Sequence, residues 1–111
     1  LIYSNIYDYY DGYVRCKVKI DVSTYESGLL KLSVVDASNN NLLRELSMDL
    51  PSMFDNGADL FYINEHAPID VGDWLEEIGI AEDTGDWDIL NDEERIRIYC
   101  LNFSKLGGKE R

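Results

Sequence analysis

DVGDWLEEIG, Asp70 to Gly79, is the stretch whose reading decides the fold. Val71, Trp74, Leu75 and Ile78 stand at i, i+3, i+4 and i+7, the apolar stripe of an amphipathic helix. Asp70 is placed to cap the helix N-terminus, and Asp73 falls in the first turn, where the helix dipole favours negative charge. Gly79 suits a left-handed C′ position, with Ile80 supplying the apolar contact of a Schellman turn. Asp73, Glu76 and Glu77 then face solvent. Burial of Trp74 would contribute roughly 2–3 kcal/mol and make it the principal anchor of the helix.

A stripe of this kind must pack on something, and the flanking sequence supplies strands. Residues 14–22 alternate Val14, Cys16, Val18, Ile20 and Val22 with Arg15, Lys17, Lys19 and Asp21, a half-buried antiparallel strand. The basic residues of its wet face are expected to pair with carboxylates on neighbouring strands. Leu30, Leu32 and Val34 alternate in residues 29–36, and an Asn-rich turn follows at 38–41. Residues 42–50 place Leu46, Met48 and Leu50 in phase, with Pro51 as the stop. After a turn at Asp55-Asn56-Gly57 comes LFYIN at 60–64. RIRIYCLNF at 95–103 is apolar on both faces past Ile98, as in a central or helix-covered strand. The expectation is an α+β fold: a mostly antiparallel meander of about five strands with one amphipathic helix packed on one face.

Three segments divide the chain. Residues 1–13 form a Tyr-rich arm or an edge strand, residues 14–103 a single α+β domain, and residues 104–111 a flexible, polar tail.

Charge is distributed unevenly. Residues 45–94 hold sixteen of the twenty-two acidic residues and no Lys or Arg, so this half carries −16 and the remainder +4. With a net charge of −12, nucleic acid phosphates and anionic membranes are disfavoured as direct partners, and basic protein surfaces are favoured. No run of eighteen apolar residues is present to span a membrane. The opening LIYSNIYDYYDGY lacks the basic and apolar regions of a signal peptide, though the absence of an initiator Met leaves a removed leader open. Cys16 and Cys100 fall on apolar phases and read as two buried thiols of a cytoplasmic protein. A disulfide would require adjacent strands and an oxidising compartment.

No nucleophile–base pair, Gly-rich phosphate loop or metal-ligand spacing stands out. His66 reads as a loop histidine. Residues 82–94 read as an acidic loop. Its Asp83, Asp86, Asp88 and Asp92 match no calcium-loop register, since Gly85 or Leu90 falls where an oxygen ligand is required. The expectation is a non-enzymatic protein without a cofactor.

The combination of Leu46-Ser47 with Asp49-Leu50, the stretch Tyr62 to Glu65, Trp74-Leu75-Glu76-Glu77 with Gly79-Ile80, Glu82 to Gly85, and Tyr99, Leu101 and Phe103 resembles a domain-of-unknown-function family. Its members are small acidic proteins encoded on conjugative elements of gut bacteria. The resemblance covers residues 14–103 and implies a mobile-element accessory role with no catalytic residue. The link at 86–94 is longer than the family pattern, which leaves the Trp87 segment outside it.

Charge and resemblance together suggest a module binding a basic protein surface, such as a nucleic-acid-binding enzyme, with DNA mimicry or an anti-defence role as one form. The expected contact residues are Asp73, Glu76, Glu77, Glu82, Asp83, Asp86, Asp88, Asp92, Glu93 and Glu94, with Trp87 as apolar anchor. A single patch requires these carboxylates to share one exposed face. The plainer alternative is that Trp87 covers the sheet and the carboxylates solvate a loop. The alternative of another class is a small-ligand or calcium-binding domain using the 82–94 loop.

Overall fold

The computed structural model describes residues 1–50 and 59–109. The expected Pro51 stop and Asp55-Asn56-Gly57 turn lie outside the described residues, as do the last two residues of the tail. The fold is α+β, but its strands form two antiparallel sheets of four instead of one sheet of five. β1 (Tyr7–Tyr10), β2 (Arg15–Thr24), β3 (Leu30–Asp36) and β4 (Leu42–Glu45) form a meander in chain order. β5 (Ser47–Met48), β6 (Leu60–Ile63), β7 (Ala81–Leu90) and β8 (Glu94–Leu101) form the second sheet in the order β5-β6-β8-β7. The helix α1 (Val71–Glu77) connects β6 to β7, and β8 returns between them.

The expected strand over residues 42–50 is split because the chain changes sheets at Leu46. The Leu46 N–H donates to the Leu32 carbonyl of the first sheet at 2.8 Å, while its own carbonyl accepts from Asn64 N–H at 2.9 Å beside the second. Leu46 and Ser47 are therefore both buried, which breaks the period-two pattern. The Ser47 hydroxyl is satisfied there, accepting from Leu32 N–H at 2.9 Å.

Both sheets and the helix enclose one core. Val18, Ile20, Leu32 and Val34 of the first sheet meet Phe61, Ile63, Tyr99 and Leu101 of the second, together with Val71 and Leu75 of α1. A smaller cluster of Leu29, Leu50, Tyr62, Ile96 and Ile98 covers the opposite face of the second sheet. β8 is thus apolar on both sides and central. The two core residues of α1 are buried, while Trp74 is only partly so, and its indole N–H donates to the Asp8 carbonyl at 3.3 Å. Leu75, not Trp74, is the deepest residue of the stripe.

The helix ends form as their sequence dictates. Asp70 accepts from Asp73 N–H at 3.0 Å. At the other end Ile80 N–H reaches the Leu75 carbonyl at 3.1 Å and Gly79 N–H the Glu76 carbonyl at 3.0 Å, with Gly79 at φ +79°. These are the two bonds of a Schellman motif.

The described parts of the two terminal segments meet each other. Ser4 N–H bonds Gly108 carbonyl at 2.7 Å, Tyr3 bridges Lys109, and Leu106 is buried. Of the segment expected as a tail, residues 104–109 are described, and Leu106 lies in the core. The arm contains an edge strand, β1, with Tyr3 and Tyr9 buried and Tyr10 and Tyr13 exposed. Lys17 pairs with Asp8 opposite it at 2.5 Å, as its place on the wet face of β2 suggests.

Candidate partner-binding surface

Residues 82–94 are not a loop. Residues 81–90 are strand β7, joined to β8 by a tight turn in which Asn91 and Asp92 both have positive φ, 53° and 61°. Glu93 N–H closes it onto the Leu90 carbonyl at 3.2 Å. This is the dihedral pattern that matches the twist of a hairpin, and short polar side chains tolerate it.

The ladder is interrupted between Asp83 and Trp87. There Thr84 Oγ1 donates to the Ile98 carbonyl at 2.7 Å, and Gly85, at φ +85°, gives its N–H to the Asp83 side chain at 2.8 Å. On either side the register is regular, pairing Asp83 with Tyr99, Trp87 with Arg97, Asp88 with Ile96 and Ile89 with Arg95.

Directly paired residues share a face, so the register sorts the carboxylates. Asp83 lies with Trp87 and Ile89 on the face that carries Arg95, Arg97 and Tyr99. Glu82 and Asp88 lie on the opposite face, with Cys100, Ile96 and Glu94. The single continuous patch expected from sequence is therefore divided. An extended backbone sends adjacent side chains to opposite sides, which a loop need not do. The same alternation separates Glu82 from Asp83 as oxygen ligands, and among the described residues no three His, Cys, Asp or Glu side chains are grouped to hold a metal ion.

On the first face the carboxylates converge with those of the helix. The Tyr99 hydroxyl is pushed up to about 12 by burial, offset in part by Arg97, and then by the charges of Glu76, Asp83 and Asp70. Beside it Arg97 is clamped: Glu65 takes it bidentately at 2.7 and 3.0 Å, and Asp70 takes it at 2.9 Å. Arg95 lies over the Trp87 ring, 4.1 Å from its centroid. Glu65, Asp83, Asp86, Trp87, Arg95 and Arg97 line a cleft of about 340 Å3. On the second face Asp88 accepts from the Tyr62 hydroxyl, and Glu94 bonds His66 at 2.8 Å.

Of the remaining expected contact residues, Asp73, Glu76, Asp92 and Glu93 are exposed at the helix surface and the hairpin tip. Glu77 is also exposed but borders a different groove, of about 880 Å3, walled by Tyr7, Tyr9, Tyr10, Trp74 and Ile78. Sequence reasoning passed over Arg95, Arg97 and Glu65. The signal was the alternation Arg95-Ile96-Arg97-Ile98 after Asn91-Asp92, a strand following a hairpin turn, which places both arginines across from the acidic strand.

The cysteines are free; Cys16 is partly buried, and Cys100 is exposed instead of buried as expected. Burial and nearby carboxylates push both thiols up.

No family model matches the chain, and neither a curated protein nor a solved structure matches it.

Proposed function

We propose that the chain is a non-catalytic binding module whose acidic hairpin engages a basic segment of another protein. The observation that carries this reading is how the hairpin's own cations are used. Arg97 is held by Glu65 and Asp70, and Arg95 by the face of Trp87. Glu76, Asp83 and Asp86 have no ion-pair partner among the described residues. Unneutralised carboxylates beside an exposed aromatic attract a basic partner and give it an apolar contact. Burial and nearby carboxylates raise both thiols, the reverse of what a nucleophilic cysteine requires, so neither Cys16 nor Cys100 is suited to that role.

Charges on both faces of a hairpin suit a protein segment better than the one-sided display of a DNA mimic. A cytoplasmic accessory role on a mobile element rests on the family resemblance and belongs to the same proposal.

The test is capture of partners from a bacterial lysate at low and high salt, with Glu76→Gln, Asp83→Asn and Asp86→Asn combined. Exposed charges are screened beyond about 8 Å at physiological ionic strength, so capture should fall with salt and be lost in the variant. Capture indifferent to both would remove the reading.

A further inference from the structure

The four sheet edges are protected to different degrees. β1 is guarded by Trp74, whose indole N–H occupies the Asp8 carbonyl while Tyr7 and Tyr9 meet its ring edge-on at 6.4 and 5.3 Å. β4 offers four residues and β5 two. β7 runs for ten residues at the end of its sheet, and no described strand lies beyond it. An unpaired strand of that length is a template for another chain, and proteins commonly blunt it with Lys, Pro or a bulge. β7 contains neither Lys nor Pro. Its bulge interrupts residues 84–86 and leaves residues 87–90 in regular register with β8.

What β7 carries instead is charge of one sign: Glu82, Asp83, Asp86 and Asp88. A second copy pairing on this edge would set carboxylates against carboxylates, and like charges across a strand pair are destabilising. The same charges favour a strand that brings cations. Trp87 and Ile89, 45% and 48% exposed, stand on one face of the regular segment, and Asp88 stands on the other.

We infer that the free edge of β7 is a strand-addition site for an extended basic segment of a partner protein, paired along residues 87–90. Main-chain bonds along the edge supply affinity, and the alternating faces read the sequence. Residues of the added strand beside Trp87 and Ile89 are apolar, and the residue beside Asp88 is Lys or Arg. The inference rests on the binding role proposed above and specifies its mode.

The probe is a synthetic peptide alternating Lys and Val, long enough to span β7, titrated by calorimetry and by amide hydrogen exchange. Two further peptides of the same sequence are N-methylated at alternate amides, one on the odd and one on the even positions. The parent peptide should bind and slow exchange of amides within residues 87–90. One methylated peptide should lose at least about tenfold in affinity, and the other should bind like the parent, because only one set of amides faces β7. Equal binding by all three overturns strand addition and leaves the acidic-hairpin role standing. Failure of all three, with lysate capture still sensitive to salt, does the same. Failure of all three without such capture overturns both. Dimers of the chain whose β7 amides are mutually protected would also overturn the assignment, since the edge would then belong to a second copy.

Discussion

Arg44 on β4 reaches Asp11, beyond the end of β1, at 3.0 Å from Nη2 and 3.3 Å from Nε. β1 and β4 are opposite edges of the first sheet, so this pair ties its two margins together at one end. Asp11 is buried and also accepts from the Tyr9 hydroxyl at 2.7 Å and from the Val14 and Tyr13 amides at 2.9 and 3.0 Å. Asp11→Ala would strand all of these donors, and a loss of about 2–4 kcal/mol is expected by chemical denaturation. Asp11→Asn keeps an acceptor for the amides and should cost less, about 1–2 kcal/mol. Equal, small losses in both variants would show that the pair does not organise the sheet.

Acid should act through the same residue. Burial alone would raise the Asp11 carboxyl, but its donors hold it well below the ordinary 3.8, and Asp70 is lowered by the Asp73 amide and Arg97 despite its own burial. A depressed folded pKa gives stability that is fully present above the unfolded value and is lost as pH falls toward the folded one. Unfolding free energy should therefore decline below about pH 4, and the decline should be shallower in Asp11→Asn.

At the alkaline end the sign reverses. Tyr9 and Tyr99 are pushed from 10.0 to about 12, chiefly by burial. A raised tyrosine pKa stabilises the fold below pH 10 and loses that contribution as pH rises toward 12. Phenolate absorbance should show a late-titrating fraction, and Tyr9→Phe should remove part of it. A single titration at the ordinary tyrosine value would contradict both assignments.

Two glycines near the helix are required for different reasons. A methyl on Gly72 would run into the Tyr99 hydroxyl and come within 3.0 Å of Arg97 Nη1, so Gly72→Ala should cost about 1–3 kcal/mol through overpacking. Gly79 faces open space, but its φ of +79° strains any side chain, and Gly79→Ala should cost about 1 kcal/mol. Asn, which tolerates this region, should recover part of the loss at 79 and none at 72. Thermal unfolding of the four variants separates the two causes.

The helix was legible because every signal for it is local: the stripe, the Asp70 cap and the Gly79 stop lie within ten residues. The α+β class followed from it and from the alternation in β2. The second sheet was not legible, since the change of sheets at Leu46 depends on where Leu32 and Asn64 lie in space. The sequence of β7 resembles a loop because an edge strand with both faces largely exposed shows no apolar alternation, and its Asp and Gly residues are those that punctuate loops. Its Trp87 and Ile89 follow period two in phase with Ala81, but Asp83 and Gly85 occupy the positions between them and leave no apolar run to read. The acidic residues were identifiable by charge, yet their division between faces depends on a register that charge cannot reveal. Cys100 is exposed despite its apolar phase for a related reason: phase says which face a residue takes, not whether that face is covered at its position.

Arg95 and Trp87 provide the sharpest test of the binding surface. The guanidinium covers an aromatic face that is otherwise open to solvent, and such a contact at an exposed site contributes only about 0.5–1 kcal/mol. Arg95→Ala should therefore change stability by less than about 1 kcal/mol. It should change Trp87 emission, with Trp87→Phe giving the contribution of Trp74 for subtraction. Its effect on binding should be opposite to that of most surface truncations. Removing the cation uncovers the ring and takes one of the two positive charges from the cleft that Asp83 and Asp86 line, the other being Arg97, held by Glu65 and Asp70, so a basic partner should bind more tightly and with a steeper salt dependence. Trp87→Ala should weaken the same partner, because exposed carboxylates steer encounter more than they hold the complex. Weaker binding in Arg95→Ala would mean that the partner is acidic, or that it reads the stacked pair as a unit, and would reverse the charge assignment of the hairpin.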